Sequence, residues 1–479
     1  MQQHGKSPRK RKLMLYFTYG IMTMAVVLIS VLCIFLVLGY RFDPKSGDLE
    51  QGALLQFRSF PEGAAIVLDN ETLPFVTPGK RSVDAGKHTV TMRRSGYDTW
   101  SKTFSVKASE LRWLNYPRLV PKDIRTTSVT ELPTLTGAIP SPDKKWFIIQ
   151  PSSDKPEFTL ADIRGDGQPV LSQLILPVSS YTQKASQPHA FSLVEWDFGA
   201  RYVLIKHTVG DVVEYIRLDR TDIENTVNIT SKLGVVVQDI HFSGTSGSVF
   251  YALENNIIRR LDSNAGTISQ PIVKDVESFR LFKTKTIAYV KLPVDNVVGV
   301  GVVVDDEAVR VATYDSTAPV YVDINEYFND YYLAIGRGTA ITVYKDPELS
   351  KRKVYASVKS ASALSWLRFG NSGRFVVAGT GSQFTSYDLE TKEKFDVNLP
   401  GTSADATKPL QWLDDFYLVS SADNDLRITE FDGANQHVIA PSIPGVPVTL
   451  DESGRFLYSL TKSQTGAVLL QRSAMTTER

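Results

Sequence analysis

The hydropathy pattern divides the chain into three regimes. Residues 13–39, LMLYFTYGIMTMAVVLISVLCIFLVLG, form an apolar run with no charged side chain. As a helix this run rises roughly 40 Å, enough for the roughly 30 Å hydrocarbon layer of a bilayer with some tilt. After it the period falls from helical to two. Trp100, Phe104 and Val106 alternate with Ser101, Thr103 and Ser105, which places the apolar set on one face of a strand. Residues 54–119 read throughout as short strands broken by turn residues, among them Pro61-Glu62-Gly63, Asp69-Asn70 and Ala85-Gly86.

From Ile139 onward one unit recurs: a short strand, a turn with Gly, Asp or Asn, a strongly apolar second strand, and a third strand that ends at an acidic turn. Copies begin near Ala138, Leu193, Gln238, Glu277, Val322, Ala363, Pro409 and Val448, about 40 to 55 residues apart. The acidic turns read EYIRLDRT, NIIRRLDSNAG, FTSYDLETKE and LRITEFDGAN. Several short strands per copy at this spacing predict a β-propeller. Eight copies are counted. Those near Glu277 and Val322 are weak, so seven blades is the close alternative. The last copy shows three strands, and the isolated strand IRTTSVTEL at residues 124–132 is expected to supply its outer strand and close the ring. Trp196, Trp366 and Trp412 occupy matching places and read as packing between blades.

Charge changes the picture at the N-terminus. Lys6, Arg9, Lys10, Arg11 and Lys12 lie in the first forty residues, which hold no Asp or Glu. The positive-inside bias predicts that this end stays in the cytoplasm. Taking these five from 53 basic residues leaves 48 against 52 acidic ones, so no concentrated basic face is expected and no nucleic acid partner. A cleaved signal peptide is the rival reading. Its apolar region is usually shorter and ends in an A-x-A-like site, whereas this run closes with VLGYRFD. A tail of about twelve residues is too short for a folded domain, which assigns the work to the far side of the membrane.

The segment after the run resembles a known family. PEGA at residues 61–64, the following IVLDN, the stretch TPGKRSVDAGKHTVTMRRSGYDTW with its G-x-H-x-V-x-x-x-x-x-G-Y pattern from Gly86 to Tyr97, and the closing KTFSV look like a PEGA domain. The resemblance implies a small β-sandwich accessory module of prokaryotic envelope proteins, with no catalytic residues to carry over. The chain departs where the family often has GKTP and reads PFVTPGK at residues 74–80. SPDKKWFII and NSGRFVVAGTGSQFTSYDLETKE resemble propeller repeats of the TolB and WD-repeat type, which implies architecture and not a partner.

Candidate chemistry is sparse. G-x-S-x-G, H-E-x-x-H and the Walker A loop are absent. The sole cysteine, Cys33, lies in the apolar run and precludes an intrachain disulfide or a cysteine-based zinc site. His4, His88, His189, His207, His241 and His437 are too dispersed for a local metal motif. DIRGDG (162–167) and SADNDLR (421–427) read as hairpin turns rather than calcium loops, and SGTSGS (243–248) lacks the spacing of a nucleophile elbow. The pairs Asp305–Asp306 and Asp414–Asp415 read as solvated turn carboxylates, not the spaced pair of a glycosidase.

The expectation is an all-β chain with one N-terminal transmembrane helix: cytoplasmic tail 1–12, uncleaved signal anchor 13–39, linker 40–53, PEGA domain 54–120, connector 121–138 and a seven- or eight-bladed β-propeller 139–479. It carries no catalytic, cofactor-binding or metal-binding residues and no cofactor. Its expected partners are the bilayer, through residues 13–39, and an envelope protein or cell-wall glycan of a bacterium. The alternative is a propeller-based carbohydrate-active lyase or hydrolase at the cell surface. Signalling across the membrane would need a further partner inside.

Overall fold

The computed structural model describes residues 8–37, 40–42, 49–184, 186–399 and 405–477. The chain divides into two compact units, residues 1–123 and 124–479.

The first unit opens with the helix Pro8–Val37. Its membrane-length stretch, Lys12–Phe35, has a mean hydropathy of 2.3, and none of it is buried by protein. Thr18 and Thr23 donate their hydroxyls to the carbonyls of Met14 and Tyr19, so neither presents an unpaired O–H on this apolar surface. The helix starts five residues before the expected span, inside the basic cluster. Pro8 is tolerated there because a first-turn N–H has no intrahelical acceptor. Residues 38 and 39 of the expected span lie outside the described residues, as do residues 1–7. The expected linker holds structure of its own: Tyr40–Phe42 pairs antiparallel with Leu49–Gln51.

A two-sheet sandwich follows. In one sheet Ala53–Phe57 lies between Gly79–Val83, antiparallel, and Leu111–Leu114, parallel. The other runs in the order Glu71–Val76, Ala65–Leu68, Gly86–Arg93, Trp100–Val106. The period-two strand Trp100–Val106 buries Trp100, Phe104 and Val106, together with the stem of Lys102. Leu55, Phe57, Ile66, Val90, Met92 and Leu114 complete the core. Two conspicuous pieces of the sequence pattern have structural work. Thr77, in the atypical PFVTPGK loop, pins the PEGA turn: its backbone carbonyl accepts from Gly63, while its hydroxyl accepts from Ala64 and bonds Ser59. His88 bonds the Asp69 carboxylate at 2.6 Å and the Asp84 carbonyl at 2.8 Å, tying two hairpin turns together.

In the second unit the described residues form eight four-stranded antiparallel sheets, the blades of a β-propeller. Blades 1 to 7 span residues 137–175, 189–228, 239–268, 276–315, 320–359, 366–398 and 411–441. Blade 8 takes its three inner strands from residues 449–474 and its outer strand, Thr126–Leu132, from the start of the unit. The weak copies near Glu277 and Val322 are complete blades, because hairpin pairing and burial carry them where the repeat motif has eroded.

Local chemistry explains each blade. Two-residue turns with both residues left-handed close several hairpins: Asn255-Asn256, Asp295-Asn296, Asp305-Asp306, Phe328-Asn329 and Asp423-Asn424. Asn and Asp tolerate that backbone, and its twist matches the strands. The recurring acidic turns are held by carboxylates that accept nearby backbone N–H groups, such as Asp219 from Thr221, Asp262 from Asn264 and Asp388 from Glu390. In blades 2 and 6 the same Asp also takes an arginine from the start of the second strand, Arg201 or Arg374.

Packing joins the blades into a ring. Hydrophobic clusters fill the interfaces 1–2, 2–3, 3–4, 4–5, 5–6 and 8–1. Phe375 of blade 6 stacks on Phe431 of blade 7 at 4.3 Å. Blade 7 meets blade 8 through Gln411, whose amide donates to and accepts from the backbone of Val448. Of the three tryptophans, Trp196 is buried between blades 1 and 2, Trp366 is buried in blade 6, and Trp412 stacks on Phe375.

Leu132 and Val170 both sit on outer strands, yet Leu132 is 7% exposed in the closing cluster and Val170 is 70% exposed. Leu132→Ala should therefore cost about 2–5 kcal/mol, while Val170→Ala should stay within about 0.5 kcal/mol. Thermal unfolding of the two variants checks this, and equal effects would mean that the closing strand does not hold the ring.

Candidate functional site on the propeller axis

The innermost strand of each blade borders the axis of a propeller. Along these strands residues of one parity pack against the preceding blade: Ile240 and Phe242, Phe279 and Leu281, Val322 and Ile324, Leu367 and Phe369. The other parity is polar or charged: Glu195 on blade 2, Asp239 and His241 on blade 3, Arg280 on blade 4, Asp323 on blade 5 and Arg368 on blade 6. Successive blades thus build a belt of alternating charge.

Two carboxylates of the belt act as clamps between blades. Glu195 accepts the Phe242 N–H at 2.6 Å, and Asp323 accepts the Phe369 N–H at 2.8 Å. Glu195 also meets His241 Nδ1 at 2.9 Å, and Asp239 meets His241 Nε2 at 3.3 Å. Burial opposes the charged imidazole, but hydrogen bonds and the charges of these two carboxylates outweigh it and raise His241 to about 9. His241 is therefore a cation at neutral pH and not a base. Burial raises the Asp323 carboxyl. Burial, followed by the charge of Arg280, lowers the Arg368 guanidinium to about 10.

A second polar cluster lies within blade 2. His189 Nδ1 and His207 Nε2 are 2.9 Å apart, with the rings stacked at 5.1 Å, and His207 Nδ1 is 2.9 Å from Glu214. Burial works to raise Glu214, but the Thr182 hydroxyl and N–H, with His207, hold it below the usual carboxylate range. Burial lowers the His207 imidazole, which is 0% exposed. The ionised Glu214 sets the proton order, with His207 donating from Nδ1 and accepting from His189. The chain of groups braces three strands and the preceding loop.

The sequence-flagged segments fall elsewhere. Asp305 and Asp306 form a hairpin turn, with Asp305 paired to Lys285. Asp414 accepts the N–H groups of Phe416 and Tyr417, and burial raises its neighbour Asp415. DIRGDG closes a hairpin of blade 1, where Asp162 pairs with Arg164 and Asp166 with Arg455 of blade 8. SADNDLR spans a hairpin of blade 7, and SGTSGS a turn of blade 3. Among the described residues no group of three or more His, Cys, Asp or Glu is arranged to hold a metal. The belt was missed because its members come from five blades. Its signal was present in DIHF, SFRLF, VDIN and WLRF, where a charged residue alternates with apolar ones on a first strand.

Residues 53–121 match the PEGA domain family. No curated protein matches the chain. The solved structures similar to it include the Dos1 propeller, at 13% identity, covering 73% of this chain and 95% of that one with a TM-score of 0.45. Kluyveromyces lactis Hsv2 has 10% identity, covers 72% and 100%, and scores 0.40. A chain of a mitotic checkpoint complex has 10% identity, covers 73% and 90%, and scores 0.34.

The His241 triad gives a pH signature. Its folded pKa of about 9 lies above the ordinary value of 6.5, so its stabilisation is complete below pH 6.5 and is lost as pH rises through 9. With its side chain 21% exposed, the contribution is on the order of 2 kcal/mol. Denaturation midpoints of the wild type should fall between pH 6.5 and 9.5, and His241→Gln should flatten that fall. An unchanged slope would show that the triad does not titrate in this window.

Proposed function

We propose that this protein is a membrane-anchored, extracytoplasmic envelope protein whose propeller is a non-catalytic scaffold for a protein or cell-wall glycan, with the PEGA domain as spacer. The division is a cytoplasmic tail, an uncleaved anchor, a PEGA module and the propeller. The observation that carries the reading is the order of parts: a 24-residue apolar helical stretch with no protein cover, then a PEGA domain, then a propeller. The basic residues ahead of the helix favour a cytoplasmic N-terminus, and the excess of acid over base beyond it disfavours nucleic acid.

The belt supports binding over catalysis. A glycosidase needs one carboxyl as proton donor and a second as base or nucleophile. Glu195 and Asp239 share one cationic imidazole, and Glu195 and Asp323 are also engaged by backbone N–H groups of the neighbouring blade. These groups hold blades in register.

Full-length protein in detergent should co-sediment with isolated envelope material more than a variant with scrambled hairpin loops does, and should release no reducing ends or unsaturated sugars from it. Equal sedimentation of the two would defeat the scaffold reading. Sugar release by the wild type would establish the carbohydrate-active alternative.

A further inference from the structure

Among the described residues the belt contains two cations without a carboxylate within ion-pair distance. Arg280 and Arg368 project from the inner strands of blades 4 and 6, on either side of the inner strand that bears Asp323. Both are half-buried. Among the described residues neither forms a salt bridge, whereas arginines elsewhere in the propeller, such as Arg201, Arg337 and Arg374, do. Asp323, which feels the charge of both arginines, directs its hydrogen bonds to the N–H groups of Phe369 and Ile324, and Asp239, which feels Arg280, bonds His241 and the Ile240 N–H. Arg368 donates to the carbonyl of its own neighbour Leu367 at 2.8 Å, and the Arg280 side chain makes no hydrogen bond among the described residues. The charge of Arg280 bears on Arg368 more than that of Asp323 does, and it acts against the charged form.

Arg280 and Arg368 bring two positive charges to Asp323, the single carboxylate on the strand between them, so this part of the belt is left with a net positive charge that a further anion would neutralise. Guanidinium forks match planar carboxylates and tetrahedral phosphates, and charge-assisted hydrogen bonds to such groups are the strong ones. We propose that Arg280 and Arg368 form an anion-binding site on the propeller axis, taking one oxyanion group, a phosphate or a carboxylate, which bridges blades 4 and 6 across blade 5. The neighbouring Glu195–His241–Asp239 triad carries the opposite net charge and confines the anion to the arginine side. The site does not depend on what the outer surface of the propeller binds.

The test is a titration of full-length protein in detergent with inorganic phosphate, acetate and glucuronate, each against chloride at fixed ionic strength, read by calorimetry and by thermal shift. At least one oxyanion should bind saturably and raise the unfolding temperature. Arg280→Gln and Arg368→Gln should each weaken that binding by about tenfold or more. In chloride alone the circular dichroism of both variants should match wild type, which checks that they are folded. Saturation by phosphate alone, or by glucuronate and acetate alone, identifies the source of the oxyanion within the proposal. Absence of saturable binding by any of the three, or binding unchanged in both variants, overturns it.

Discussion

The pairing of Thr126–Leu132 with Val468–Ala474 is the contact on which the propeller depends. It joins strands more than three hundred residues apart in sequence, and it completes blade 8 from both ends of the unit. Each blade alone is a small twisted sheet with two apolar faces, which only neighbours on both sides can cover. Without the closing strand blade 8 would be incomplete, and the cluster of Leu132, Tyr458, Leu460 and Leu470 with Phe147 and Ile149 of blade 1 would lose one wall. The closing strand also covers the outer edge of Val468–Ala474, which would otherwise be left unpaired.

The same geometry creates the polar belt. On the inner strands of blades 2 to 6, the charged belt residues, which do not pack on the preceding blade, are only partly exposed. Charges are admissible there when they are paired or capped, as Glu195, Asp323 and His241 are. The belt thus fixes blade register by hydrogen bonds directed from one blade to the next. Arg280 and Arg368 are the part of it that this structural role does not absorb.

Much of the architecture was legible in the sequence because it rests on short-range patterns. The apolar run, the period-two strand at Trp100 and the eight turn-punctuated copies all report local periodicity. The ring-closing strand could be read because the last copy lacked one. The belt, the His189–His207–Glu214 chain and the role of Thr77 under the PEGA turn were not read. His189 and Glu214 are 25 positions apart, and Glu195 and Arg368 lie four blades apart; only folding makes them neighbours in one belt or cluster. The helix continues five residues N-terminal to the apolar run, because a charged residue ends a hydropathy window but not a helix.

The proposed function turns on whether the propeller lies outside the cell membrane. Protease treatment of intact cells carrying a C-terminal tag measures it directly, with a permeabilised control. Loss of the tag from intact cells, with a protected fragment of a few kilodaltons at the N-terminus, is the predicted result. A tag that survives in intact cells and is lost only when the inner membrane is opened would place the propeller in the cytoplasm and contradict the account.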